Sequence, residues 1–188
     1  MSEIYSGTKF KTTFKEKKVL NNEKIDELTK YCNKFAELGL APFVDGGHAG
    51  NLSFRTENGF IITAAGADLS KISKEDFVEI IDVNNDEVTV IGTKEPSSET
   101  LMHDSIYQKR QDVNAIFHGH DKIVMEKLQD LPITEKEQPY GSKALADEVI
   151  KVINNNNYII IKNHGILSLG KTMEQAGTLA IKTHNKAI

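Results

Sequence analysis

At 188 residues and 39% hydrophobic content, the chain is long enough to bury one proper core and gives no reason to divide it into two domains. Its 23 basic and 27 acidic residues leave a net charge of −4, which excludes an overall basic field for nucleic acid. No run approaches the roughly 18 apolar residues of a membrane helix, and the start MSEIYSGTKFK lacks the apolar block of a secretory signal, so a cytoplasmic protein is expected, with no nucleic-acid and no membrane partner.

Residues 1–20 set Lys9, Lys11, Lys15, Lys17 and Lys18 around Phe10 and Phe14, the pattern of an arm or edge strand with solvated lysines; the domain proper is expected over 21–188. From Asn22, a plausible N-cap, Ile25, Leu28, Cys32, Phe35 and Leu38 recur at three- and four-residue spacing up to Gly39, which predicts an amphipathic helix. Cys32, the single cysteine, cannot form an internal disulfide and reads as a small core residue. The stretch DGGHAGN (45–51) reads either as a loop whose amides approach an anion or as a tight turn into a hairpin, LSFR and FIIT joined by TENG. A second small-residue loop, AAGADLSKI (64–72), precedes a capping pair, Ser73 with Asp76. The runs Phe77 to Asp82 and Glu87 to Ile91 then form a hairpin turned at Asn84–Asn85.

The segment from Glu95 to His120 concentrates the reactive side chains. Pro96 stops what precedes it, Ser97 or Ser98 can cap a helix with Glu99 in its first turn, and Leu101, Ile106 and Tyr107 form an inward stripe as far as Arg110. Val113 to His120 reads as a buried strand, where side chains two apart share a face, so His118 and His120 point the same way. Two imidazoles make half of a metal site. His164, after the apolar run Tyr158 to Ile161, supplies a third ligand if the two strands are neighbours. Catalytic zinc takes three protein ligands and leaves a position for water or substrate, with Glu99 placed to handle protons. The plain alternatives are a dipole-stabilising surface charge for Glu99 and simple caps for the serines.

His103, four residues after Glu99, shares its helical face and reads as a support for the site or a fourth ligand. His48 reads as a solvated loop residue and His184 as a surface residue. Arg55 and Arg110 are the only arginines, so an anionic ligand would be held by hydroxyls, amides or lysine. Asp121 to Gln138 is polar and irregular. A helix over 142–153, a turn at the four asparagines 154–157, two strands and a final helix capped by Thr172 complete the chain. Hairpins and meanders with helices at intervals predict an α/β fold, a central and mostly antiparallel sheet flanked by helices.

The motifs GNLSFR (50–55), ITAAGADL (62–69), EPSSETLMHDSIY (95–107), IFHGH (116–120) and NHGILSLG (163–170), in that order, resemble the class II aldolase/adducin family of fuculose-1-phosphate aldolase and ribulose-5-phosphate 4-epimerase. The resemblance spans roughly Asn22 to Lys186 and implies the three-layer fold of that family. It implies one zinc ion per chain on His118, His120 and His164, stabilising an enediolate as a carbon–carbon bond breaks, with Glu99 shuttling the proton. Asn51, Gly66, Ser97 and Ser98 would hold the phosphate of a small phosphorylated sugar or aldehyde substrate, in a homotetramer. The epimerase branch carries aspartate where this chain has Glu99, so aldol cleavage is the expected reaction. A sugar-phosphate dehydratase of the methylthioribulose-1-phosphate type, an epimerase and a non-catalytic assembly module like adducin are the alternatives. Retention of the three histidines and Glu99 counts against the last. Ala65 supplies no hydroxyl where the family usually has serine or threonine, and the 121–138 segment offers no counterpart of an active-site tyrosine, so specificity is expected to differ.

Overall fold

The computed structural model describes residues 7–44, 46–128 and 130–188; the first six residues of the arm, Asp45 of the glycine-rich loop and Gln129 lie outside them. The chain opens with β1 (Lys11–Glu16), α1 (Ile25–Leu38), β2 (Phe43–Val44), β3 (Gly47–His48), β4 (Gly50–Arg55) and β5 (Phe60–Thr63). A single 3-10 turn (Lys74–Asp76) leads into β6 (Phe77–Asn84), β7 (Glu87–Ile91), α2 (Thr100–Lys109), β8 (Ala115–Gly119) and α3 (Lys122–Lys127). The remainder is α4 (Lys143–Ile153), β9 (Tyr158–Ile161), β10 (Gly165–Gly170) and α5 (Met173–Ala187).

Eight strands form one sheet in the order β1-β7-β6-β5-β4-β8-β10-β9, and β2 pairs with β3 as a separate small hairpin. Every pairing in the large sheet is antiparallel except that of β1 with β7. The sheet is therefore mixed, and the lysine-rich arm provides one of its two edge strands. Helices cover both faces. One face packs Ile62, Ile116, Leu167 and Leu169 against Met102 and Ile106 of α2 and Leu145 and Val149 of α4. The other packs Leu52, Phe54 and Phe117 against Leu28, Cys32 and Phe35 of α1 and Ala176 and Ala180 of α5. Among the described residues no helix is long and apolar enough to cross a membrane.

Local chemistry explains most boundaries. Gly39 ends α1 in a left-handed conformation (φ 73°), and its amide bonds Ala36 O at 3.2 Å. Ser142 and Thr172 cap α4 and α5 through Leu145 N and Gln175 N. Asn85 turns β6 into β7 at φ 53°, a conformation asparagine tolerates better than most residues. Arg55 donates to the carbonyls of Tyr107, Arg110 and Val113, tying the end of α2 to β4, while Arg110 binds Asp112 and Asn157. Both arginines thus serve the scaffold.

Five local expectations are corrected. Asn22 does not cap α1: Lys24 stands at the N-cap, and the Asn22 side chain accepts from Lys24 N one turn earlier. Glu99 is not in the first turn of α2 but at its N-cap, because Ser97 O and Oγ accept from Thr100 N and Glu99 N in the turn before it. The 121–138 segment is not wholly irregular, since Asp121 caps the short α3 by accepting from Val124 N. His48 is not solvated; its Nδ1 accepts from Leu69 N at 3.1 Å. His184 is buried, with Nδ1 donating to Asp121 at 2.7 Å, because α5 folds back over the start of α3.

Candidate metal centre

Three local structures bring the histidines together. His118 lies on β8 and His120 just past its end, on one side of the sheet by the two-residue period of a strand. His164 closes the β9–β10 hairpin, whose three-residue turn places Asn163 at φ 57° and bonds His164 N to Ile161 O at 3.0 Å. Because β10 pairs directly with β8, the ends of both meet. The metal-capable nitrogens of His118, His120 and His164 all lie within 4.8 Å of one another. Ring centroids are 5.1 Å apart for His118–His120 and His118–His164, and 4.8 Å for His120–His164. Gly165 is required beside them. A Cβ there would stand 2.4 Å from Gly119 O and 2.8 Å from the His118 ring.

Electrostatics keep this cluster neutral. Burial, then repulsion from His120 and His164, holds His118 well below the ordinary histidine range. Burial and the His164 charge push His120 down to about 3, and burial pushes His164 down to about 4. The Ile166 carbonyl, 2.9 Å from His118 Nδ1, can only accept, so Nδ1 carries the proton and Nε2 keeps its lone pair. Nε2 of His118 and Nε2 of His164 are buried without a hydrogen-bond partner among the described residues. Buried polar atoms are rarely left so. Neutral imidazoles with inward lone pairs are a donor set suited to zinc or another first-row divalent ion.

Glu99 adjoins the cluster, its Oε1 3.6 Å from His164 Nε2 and accepting from Gly141 N at 3.1 Å. Sequence reasoning missed Gly141. It sits at φ 62°, and a Cβ there would stand 2.7 Å from Ser98 O, so the close approach that lets its amide reach Glu99 calls for glycine. Asn51, on β4, stands opposite His118 in register. Ser97 N bonds Thr63 O and Ala65 N bonds Glu95 O, which fastens the loop carrying Gly66 to the segment carrying Ser97 and Ser98. The amides of Gly66 and Ser98 donate no hydrogen bond among the described residues. His103, weighed as a fourth ligand, stays outside the three-nitrogen cluster and bonds Ser53 instead.

A mixed eight-stranded sheet between helix layers, with three histidines and a carboxylate gathered at its strand ends, defines a class. The sequence matches the class II aldolase and adducin N-terminal domain over residues 26–125 and 121–187, and the chain belongs to that family. It is 36% identical to an L-fuculose phosphate aldolase of Methanococcus maripaludis (strain DSM 14266), across 69% of this chain and 77% of that one. It is 26% identical to a methylthioribulose-1-phosphate dehydratase of Pseudoalteromonas translucida, across 67% of this chain and 72% of that one. Among solved structures, an L-fuculose 1-phosphate aldolase superposes with a TM-score of 0.75 at 29% identity, covering 90% of this chain and 85% of its own. Class II aldolases are metal-dependent, and the histidine triad offers the ligands such an enzyme needs.

Proposed function

We propose that the chain is a zinc-dependent aldolase that breaks or forms a carbon–carbon bond in a small phosphorylated sugar. The observation that carries this reading is the triad itself: His118 buried, His120 and His164 partly buried, their nitrogens within 4.8 Å of one another and Glu99 Oε1 3.6 Å from His164 Nε2. His118, His120 and His164 would hold one zinc ion, which when bound supplies Lewis acidity to the substrate carbonyl. Glu99, its Oε1 held by Gly141 N, moves the proton that the carbon beside the carbonyl gains on cleavage and loses on condensation. The Asn51 amide, the Gly66 and Ser98 amides and the hydroxyls of Ser97 and Ser98 bind the phosphate; both arginines are committed elsewhere. The same reading places the enzyme in the cytoplasm as a homotetramer. The catalytic domain is taken as 21–188, and the arm over 1–20 adds β1 to the edge of its sheet.

The test is product analysis on zinc-loaded protein. Fuculose 1-phosphate should yield an aldehyde and a triose phosphate, and Glu99→Gln should retain the metal yet lose about 10²–10⁴ in turnover. Unchanged turnover in that variant would remove Glu99 from the mechanism. The similarity to a dehydratase supports a second reading, for which methylthioribulose 1-phosphate is the substrate to try. Loss of water without aldehyde release would favour it.

A further inference from the structure

Two buried atoms near the metal centre are accounted for by neither metal ligation nor packing. His103 is 0% exposed and Asn51 5%, and neither His103 Nε2 nor Asn51 Oδ1 has a hydrogen-bond partner among the described residues. Burying a polar atom unpaired is costly, so a ligand or water is expected at each.

The surroundings of His103 decide which nitrogen carries its proton. Its Nδ1 lies 2.7 Å from Ser53 Oγ, and Ser53 Oγ lies 2.8 Å from the Tyr107 hydroxyl, in a chain of three wholly or almost wholly buried groups. If Nδ1–H donated to Ser53 and Ser53 to Tyr107, the Tyr107 hydroxyl proton would have no acceptor and Nε2 would be an unpaired lone pair. In the other direction Tyr107 donates to Ser53, Ser53 donates to Nδ1, and one unpaired group remains, an Nε2–H. The second arrangement strands one buried group instead of two. His103 is thus an Nε2–H donor and Asn51 Oδ1 an acceptor, complementary and unbonded. Both belong to one face of the sheet: Ser53, which bonds His103, and Asn51 lie two apart on β4, and His118 stands opposite Asn51.

We infer that His103 is a positioning residue for Asn51: its Nε2–H donates to a buried water, the water donates to Asn51 Oδ1, and the amide is locked with its NH2 group turned toward the ligand. Without the lock the amide can rotate and present oxygen to an anion, which repels it. The inference rests on the reading of Asn51 as a phosphate donor.

Calorimetric titration of the zinc-loaded full chain with inorganic phosphate tests it. His103→Phe should weaken phosphate binding about five- to tenfold, the loss of roughly one hydrogen bond, with metal stoichiometry unchanged. Asn51→Ala should weaken it at least as much, and the double variant should be no worse than Asn51→Ala alone. If Asn51→Ala binds phosphate like wild type, the reading of Asn51 fails and takes this inference with it. If Asn51→Ala weakens binding but His103→Phe does not, or the two penalties add, the inference alone falls. Should His103→Phe fail to fold, Ser53→Ala replaces it: freeing the tautomer should cost about threefold, and wild-type affinity would overturn the account. Nitrogen NMR of histidine-labelled protein reads the tautomer directly. A proton on Nδ1 of His103 contradicts the inference.

Discussion

Along β8, Ala115 and Phe117 enter the layer beneath α1 and α5, while Ile116 and His118 face α2 and α4. Around Phe117, on the first side, the packing is closed: Phe117 meets Phe35 edge-on at 5.6 Å and Tyr31 at 5.2 Å. On the second, Asn51, His103 and His118 leave polar atoms buried without partners among the described residues. Residues one apart in sequence therefore do opposite work. The closed face contributes stability, and that stability lets the other face hold lone pairs ready for a ligand instead of satisfying them internally.

Substitutions on the two faces should separate these roles. The largest effect is expected at His120→Ala, which should abolish metal binding and turnover while the circular dichroism spectrum stays native; unfolding at room temperature would show that the triad is part of the scaffold. Phe117→Ala should do the reverse, lowering the unfolding free energy by about 3–5 kcal/mol in denaturant titration while its folded fraction keeps the wild-type metal content. A smaller effect is expected on α2, where burial, then the nearby Asp82 charge, pushes Asp104 up to about 6. An acid whose folded value lies above its unfolded one holds its proton more tightly when folded. Its contribution is complete below about pH 4 and is lost as pH rises through about 6. Asp104→Asn should therefore stabilise the protein at pH 7–8, by on the order of 2 kcal/mol, and leave stability at pH 4 unchanged. An equal change at both values would contradict the assignment.

The elements that could be read from sequence are those whose signal is local. The stripe from Ile25 to Phe35, the Asn84–Asn85 turn and the alternation of His118 with His120 each declare themselves within a dozen residues. What was missed depends on distant partners. Nothing near His184 announces Asp121, 63 residues away, and the six-residue α3 is too short to show a helical period. The parallel pairing of β1 with β7 joins segments more than 70 residues apart. Gly141 carries no local signal, because its amide matters through a carboxylate 42 residues earlier. His164 lay between these cases: its residue type suggested a ligand, but only the β8–β10 pairing brings it to the other two.

The measurement that bears most directly on the account is the metal content of the purified chain by mass spectrometry, after incubation with zinc, beside His118→Ala. About one divalent ion per chain in the wild type, lost in the variant, is the expected result. A wild type that stays empty, or a variant that keeps its ion, would contradict the three-histidine centre on which the catalytic reading stands.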